Sequence, residues 1–257
     1  MPAEPISQEM LDSTQYAVES IRHYEAIFGE DFVSPGGQDM ALELIGQMEL
    51  KPRSRVLDVG CGLGGNAFTM AREFDLLVDG IDLSKNMLAM AEQKLTAYGL
   101  SDHVSLEQGD CLQLDRPQYY DAIFSRDVFL HISNKARLFS VFHASLKPGG
   151  KLLFTDYCCG EKPWADEFSY YVEDRGYSLH TLPEYEELIT DAGFTKVESL
   201  DITDRFIEIL QADLIKIDGL ELPESDREML KQSWFGKQER ARSGDHRWGL
   251  FSALKSI

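Results

Sequence analysis

Basic residues are scarce: 25 Lys and Arg stand against 44 Asp and Glu in 257 residues, leaving a net charge of −19 and a pI near 4.6. A chain this acidic repels phosphate backbones and anionic lipid, which argues against a nucleic-acid or membrane-surface partner. No apolar run is long enough to cross a bilayer, and no basic segment followed by an apolar one opens the sequence. The expectation is therefore a soluble, cytoplasmic protein without membrane insertion. Cysteine is sparse as well. Cys61, Cys111, Cys158 and Cys159 include no Cys-x-x-Cys, and the adjacent pair is too close for an ordinary disulfide loop, so buried reduced thiols are expected. Six scattered histidines form no His/Cys cluster at ligand spacing, and no metal is expected. Internal repeats and low-complexity linkers are missing too. The 43% of hydrophobic residues suffices for a substantial core, and 1–257 reads as one domain.

What is present is organised around Arg55-Val-Leu-Asp-Val-Gly-Cys-Gly-Leu-Gly-Gly65, a short buried strand, a glycine turn and a helix start in eleven residues. The dinucleotide fingerprint needs G-x-G-x-x-G and the P-loop needs Gly-Lys-Ser/Thr, and neither spelling occurs. Instead Asp58 precedes the first glycine. A second hydrophobic run, Leu76-Leu-Val-Asp-Gly-Ile81, ends in Asp82, where an open α/β sheet presents the carboxylate that grips a ribose diol. A third strand-like run, Val104-Ser-Leu-Glu107, leads into Gln108-Gly-Asp-Cys111. Taken singly, each of these acids is better explained as a strand-end or turn residue. In series they resemble motif I and the following acidic positions of class I S-adenosylmethionine-dependent methyltransferases.

Before this loop, apolar residues at helical spacing over 9–28 predict an N-terminal helix, and 38–48 predict another. After it, helices are expected over 66–74, 84–98 and 135–146, and strands over 120–125 and 151–156, the last following the turn Lys147-Pro-Gly-Gly150. This alternation predicts an α/β fold with a doubly wound, mostly parallel sheet. A helix over 183–192 and strands over 196–200 and 247–254 complete it. Two stretches, 158–177 and 201–246, lose the alternation and read as lid insertions. Residues 1–50 thus read as a helical cover, 51–157 as the cofactor-binding core, and 158–257 as lid segments with the last strands.

Tyr24-Glu-Ala-Ile-Phe-Gly-Glu-Asp-Phe-Val-Ser-Pro-Gly-Gly37, Ser125-Arg-Asp-Val-Phe-Leu-His131, Thr155-Asp-Tyr-Cys158, Tyr171-Val-Glu-Asp-Arg-Gly-Tyr177 and Arg247-Trp-Gly-Leu-Phe251 together resemble the phosphoethanolamine N-methyltransferases. The resemblance runs from Tyr16 to Phe251. It implies the class I methyltransferase (Rossmann-like) fold with a seven-stranded sheet, S-adenosylmethionine as cofactor, and a phosphobase methylated toward phosphocholine. Plant members carry two methyltransferase domains and nematode members are longer, so the chain resembles the short single-domain form, expected as a monomer.

By that resemblance Tyr16 and His131 form the catalytic pair, with Asp127 orienting the substrate amine. An ammonium has no lone pair with which to attack a methyl sulfonium, and an imidazole near its ordinary pKa of about 6.5 accepts its proton at physiological pH. Alone, His131 is equally well read as a surface or helix-capping residue; the Arg-Asp-x-x-x-His frame tips the choice. Arg175 and Lys237, with Tyr24, Tyr157, Tyr171 and Tyr177, match the family's phosphobase-binding positions, and Arg and Lys both suit phosphate oxygens. Ser34, Asp58, Gly60, Gly62, Asp82, Leu83, Asp110, Cys111 and Arg126 match the cofactor positions. Asp82 is expected on the ribose, Leu83 and Cys111 about the adenine, and Gly60 where the methionine end comes close. Arg126 could instead be a structural ion-pair partner. Two other functions stay open: a methyltransferase of another amine, such as a glycine or sarcosine betaine precursor, and a non-catalytic S-adenosylmethionine-binding protein.

Overall fold

The computed structural model describes residues 12, 13 and 17–257. Among them seven strands, β1 (Arg55–Val59), β2 (Leu77–Asp82), β3 (Val104–Gln108), β4 (Tyr120–Arg126), β5 (Leu146–Cys159), β6 (Phe194–Asp201) and β7 (His246–Lys255), form one sheet in the order β3-β2-β1-β4-β5-β7-β6. All pairings are parallel except those of β7, which runs antiparallel between β5 and β6. The chain enters at β1, winds out to β3, and returns to β4 on the other side of β1. That reversal opens a crevice at the carboxyl ends of β1 and β4, where open α/β sheets bind ligands. Register fixes what meets there: Val59 pairs with Ile81 and with Ser125, so Gly60, Asp82 and Arg126 leave the sheet at one level.

The nine α-helices among the described residues are α1 (Val18–Phe28), α2 (Gly37–Gln47), α3 (Gly65–Phe74), α4 (Lys85–Tyr98), α5 (Lys135–Ser145), α6 (Asp166–Arg175), α7 (Leu182–Asp191), α8 (Thr203–Asp218) and α9 (Glu224–Ser243). Both sheet faces are covered. Val56, Val78, Ala122 and Phe124 join a core with α2, α3, α8 and α9, whereas Leu57, Val59, Ile123 and Phe154 join one with α5 and α7. Burial on both faces explains why these strands are nearly continuous apolar runs. Local chemistry sets the helix ends. Ser84 caps α4 by accepting from the Met87 amide at 3.2 Å, and Thr181 and Glu184 form a reciprocal capping box on α7.

The stretch 201–246, expected as a lid insertion, is mostly two helices. Phe206, Leu210 and Ile217 of α8 face Leu230 and Trp234 of α9, each set at helical spacing. Only four residues of the twenty in α9 are buried, so its apolar stripe is too thin to stand out from the charges around it. The expected insertion 158–177 likewise contains α6. No helix among the described residues is long and apolar enough to cross a membrane.

Candidate active site

A cavity of about 490 Å³ opens at the carboxyl ends of β1, β2, β4 and β5, roofed by α1, α6 and α9. Its volume lies in the range of ligand sites of drug-like size. One half is built from strand ends. The Asp82 carboxylate accepts from the Gly62 amide and from the Ser84 amide, each at 2.8 Å, which aims it across the glycine turn. Burial raises its pKa, and the Ser84 and Gly62 amides oppose that rise. Each oxygen keeps a further lone pair for a ligand hydroxyl. Leu83, Gly109, Asp110 and Cys111 continue the wall, with Asp110 capping the next turn through the Leu112 amide at 2.9 Å.

Three expected cofactor residues differ in detail. Asp58 does not line the cavity; it is fully buried beneath the glycine turn, because strand alternation points it toward α3, whose Ala67 amide faces it. Burial and the nearby Asp82 push it up to about 7. Gly60, at φ +68°, does line the cavity, yet a Cβ there would lie 2.3 Å from the Val128 side chain. The close approach that this glycine permits is therefore made by the loop after β4. Arg126 makes no ion pair among the described residues: its guanidinium donates to the Gly37 carbonyl at 3.0 Å and to the Pro35 carbonyl, and its buried Nε has no partner there. It ties the loop carrying Ser34 to β4, and Ser34 donates back to the Arg126 carbonyl at 3.5 Å.

The rest of the cavity carries charged and polar side chains. Asp127 follows β4 at φ +56°, an uncommon conformation for a residue with a Cβ. Its amide donates to the Thr155 carbonyl at 2.8 Å, and its Oδ1 accepts from Trp248 Nε1 at 2.7 Å and Thr155 Oγ1 at 3.1 Å. Oδ2 is buried and has no partner among the described residues. An unsatisfied carboxylate oxygen held this firmly calls for a donor from a ligand. His131, in the turn Phe129–His131, also lines the cavity, with its ring edge-on to Tyr177 at 5.3 Å. Burial pushes its pKa down to about 4, helped by Lys135 and Arg175, so the ring is neutral at pH 7 and a far weaker base than an ordinary histidine.

Arg175 of α6 and Lys237 of α9 also line the cavity, together with Tyr24, Tyr157, Tyr171 and Tyr177. Lys237 Nζ lies 3.4 Å from the Tyr157 hydroxyl, and burial, then Arg240 and Arg175, lowers its pKa to about 8. Arg240, which sequence reasoning missed, is a third cation here: its guanidinium covers the Tyr171 ring at 3.8 Å. Its place three residues beyond Lys237 was the available signal, since a helix puts i and i+3 on one face. Trp234 was missed as well, and it packs against Tyr24 and Phe28 and so docks α1 on α9. Tyr16 lies outside the described residues.

Residues 56–150 match the family model of a methyltransferase domain. Phosphoethanolamine N-methyltransferase 1 of Arabidopsis thaliana is 43% identical over 97% of this chain and 52% of its own length. The phosphoethanolamine N-methyltransferase of Plasmodium falciparum is 34% identical over 96% of this chain and 95% of its own. The structure of Haemonchus contortus phosphoethanolamine N-methyltransferase 2 with phosphomonomethylethanolamine and S-adenosylhomocysteine superposes with a TM-score of 0.94 at 35% identity, over 97% of this chain and 60% of that one. The chain thus spans about half the length of the plant relative.

Proposed function

This chain belongs to the phosphoethanolamine N-methyltransferase family, and we propose that it methylates the nitrogen of phosphoethanolamine, or of its mono- and dimethyl forms, with S-adenosylmethionine. The observation that carries the reading is the polarity of the cavity's second half. An unpartnered Asp127 oxygen and the cations Arg175, Lys237 and Arg240 line the same cavity, the complement of a molecule with an ammonium and a phosphate. Arg175 and Lys237, with Arg240 beside them already paired to Glu167 at 2.8 Å, suit a dianion better than the single carboxylate of a glycine or sarcosine. The glycine turn, Asp82 and Asp110 suit a nucleoside, and bound S-adenosylmethionine supplies an electrophilic methyl group.

The chain's own residues then have separate tasks. Asp127 Oδ2 accepts an N–H of the amine and fixes the nitrogen's direction. The His131 imidazole takes the proton that must leave before the nitrogen has a lone pair. Seating a phosphate on Arg175 neutralises one of the charges that depress His131, so the imidazole becomes more basic once substrate is bound. The aromatic walls exclude water and favour a nitrogen that gains permanent charge. Tyr16, by its match to the family, is the expected catalytic partner of His131. We further read 1–257 as one functional unit, monomeric and cytoplasmic, acting on a small soluble substrate rather than on nucleic acid.

Incubation with methyl-deuterated S-adenosylmethionine and each phosphobase, followed by mass spectrometry, tests the proposal. Labelled mono-, di- or trimethyl phosphobase is expected. Transfer to glycine or sarcosine alone would favour the betaine reading, and cofactor binding without transfer to any amine would leave a binding protein. A separate expectation concerns the ribose contact: Asp82→Ala should weaken S-adenosylmethionine binding by about 1.5–3 kcal/mol, as for a hydrogen bond to a charged group. Unchanged calorimetric affinity in a folded variant would refute the Asp82 assignment.

A further inference from the structure

His131 sits in a three-residue 3₁₀ turn closed by two main-chain hydrogen bonds, from the His131 amide to the Val128 carbonyl at 3.1 Å and from the Ile132 amide to the Phe129 carbonyl at 2.8 Å, so the placing of the whole turn depends on what holds its remaining main-chain groups. Two buried side chains of opposite charge hold them, and neither lines the cavity. Asp156 of β5 has no exposed surface. Its Oδ1 accepts from the Leu130 amide at 3.1 Å, and its Oδ2 accepts from the Tyr185 hydroxyl of α7. Lys135, at the start of α5 and 1% exposed, donates to the Ile132 carbonyl at 2.9 Å and to the Ser178 carbonyl. The Ser178 amide in turn donates to the Leu130 carbonyl at 2.7 Å. The amide before His131 and the carbonyl after it are therefore both fixed by charge-assisted hydrogen bonds from behind.

The neighbours of Asp156 on β5 face the other way, as strand alternation requires. Thr155 donates to Asp127, and the Tyr157 hydroxyl lies 3.4 Å from Lys237 Nζ. Three consecutive residues thus serve Asp127, Lys237 and the turn that bears the imidazole. Burial raises the pKa of Asp156 and lowers that of Lys135, and each charge opposes the other's shift. Buried opposite charges are weak support for stability, because apolar residues of similar volume often do as well or better. Their fit to the main chain around His131 supplies a different reason for their presence.

We propose that Asp156 and Lys135 are positioning residues, acting through the backbone of residues 130–132 to hold the His131 imidazole where the substrate proton leaves. The proposal rests on the reading of His131 as proton acceptor.

A double-mutant cycle on the full chain tests it. Asp156→Asn, Lys135→Met and Tyr185→Phe are each made alone and with His131→Ala. Then kcat and KM for phosphoethanolamine and cofactor affinity by calorimetry are measured. The expected result is a kcat about tenfold lower for Asp156→Asn and Lys135→Met, a smaller loss for Tyr185→Phe, and KM and cofactor affinity within about twofold, as for a displaced catalytic group. In the His131→Ala background the same substitutions should change kcat by less than about twofold, because the group they position is gone. Multiplicative losses in that background would overturn the positioning role and leave His131 as the base. A His131→Ala enzyme with wild-type kcat would remove the base reading itself, and this proposal with it. Should Asp156→Asn or Lys135→Met fail to bind cofactor, Tyr185→Phe decides, because it deletes one hydroxyl only; wild-type kcat in that variant would count against the proposal.

Discussion

His131→Ala is expected to lower kcat by about 10²–10⁴-fold, the usual share of general-base catalysis, with S-adenosylmethionine affinity preserved. The cofactor half of the cavity is built from the ends of β1, β2 and β3 and does not depend on this side chain. The pH profile gives the sharper signature. The imidazole titrates near 4 in the free enzyme, so it takes up a proton, and is lost as a base, only as pH falls through about 4. The kcat/KM acid limb assigned to His131 should lie near 4 rather than near the ordinary 6.5, apart from any limb near 6 from the substrate's own phosphate. In kcat the same limb should move upward, because bound phosphate neutralises Arg175. Both His131 limbs should vanish in His131→Ala, and that variant should recover at high pH, where the amine arrives already neutral. A variant equally slow at pH 10 and pH 7 would mean that His131 positions the amine without taking its proton.

Arg175→Ala combined with Lys237→Ala is expected to lower kcat/KM for phosphoethanolamine by about 10²–10⁴-fold, mostly through KM. Each hydrogen bond between ionised groups contributes about 1.5–3 kcal/mol, and the two share one anion and will not simply add. Both touch the end of the substrate remote from the nitrogen, so kcat at saturation should fall less and cofactor affinity should not change. Lys237 adds a pH test of its own. Burial lowers it to about 8, so it loses its charge as pH rises through about 8, and KM should climb there in the wild type but not in Lys237→Ala. An unchanged KM in the double variant would remove both residues from the phosphate site.

The glycine turn, Asp82, Asp110 and the 125–131 segment were legible because each is a local pattern: a strand, a turn, and an acid at the strand's end. Sequence could not show that Asp58 would lie under the turn, since its direction depends on which sheet face α3 covers. Nor could it show that Asp127 is held by Trp248, a partner 121 residues away on the antiparallel strand β7. The depressed basicity of His131 was equally hidden, because burial and the charges of Lys135 and Arg175 exist only after folding. The thin apolar stripe of α9 concealed both its helical state and Arg240, the third cation lining the cavity.

The most direct measurement is the ratio of kcat/KM for phosphoethanolamine to that for ethanolamine in the wild-type protein. The amines are alike and only the phosphate differs, so the ratio isolates the contribution of Arg175, Lys237 and Arg240 to recognition. The account predicts a ratio of about 10² or more, from at least two charge-assisted contacts of about 1.5–3 kcal/mol each. Equal turnover of the two amines would contradict it.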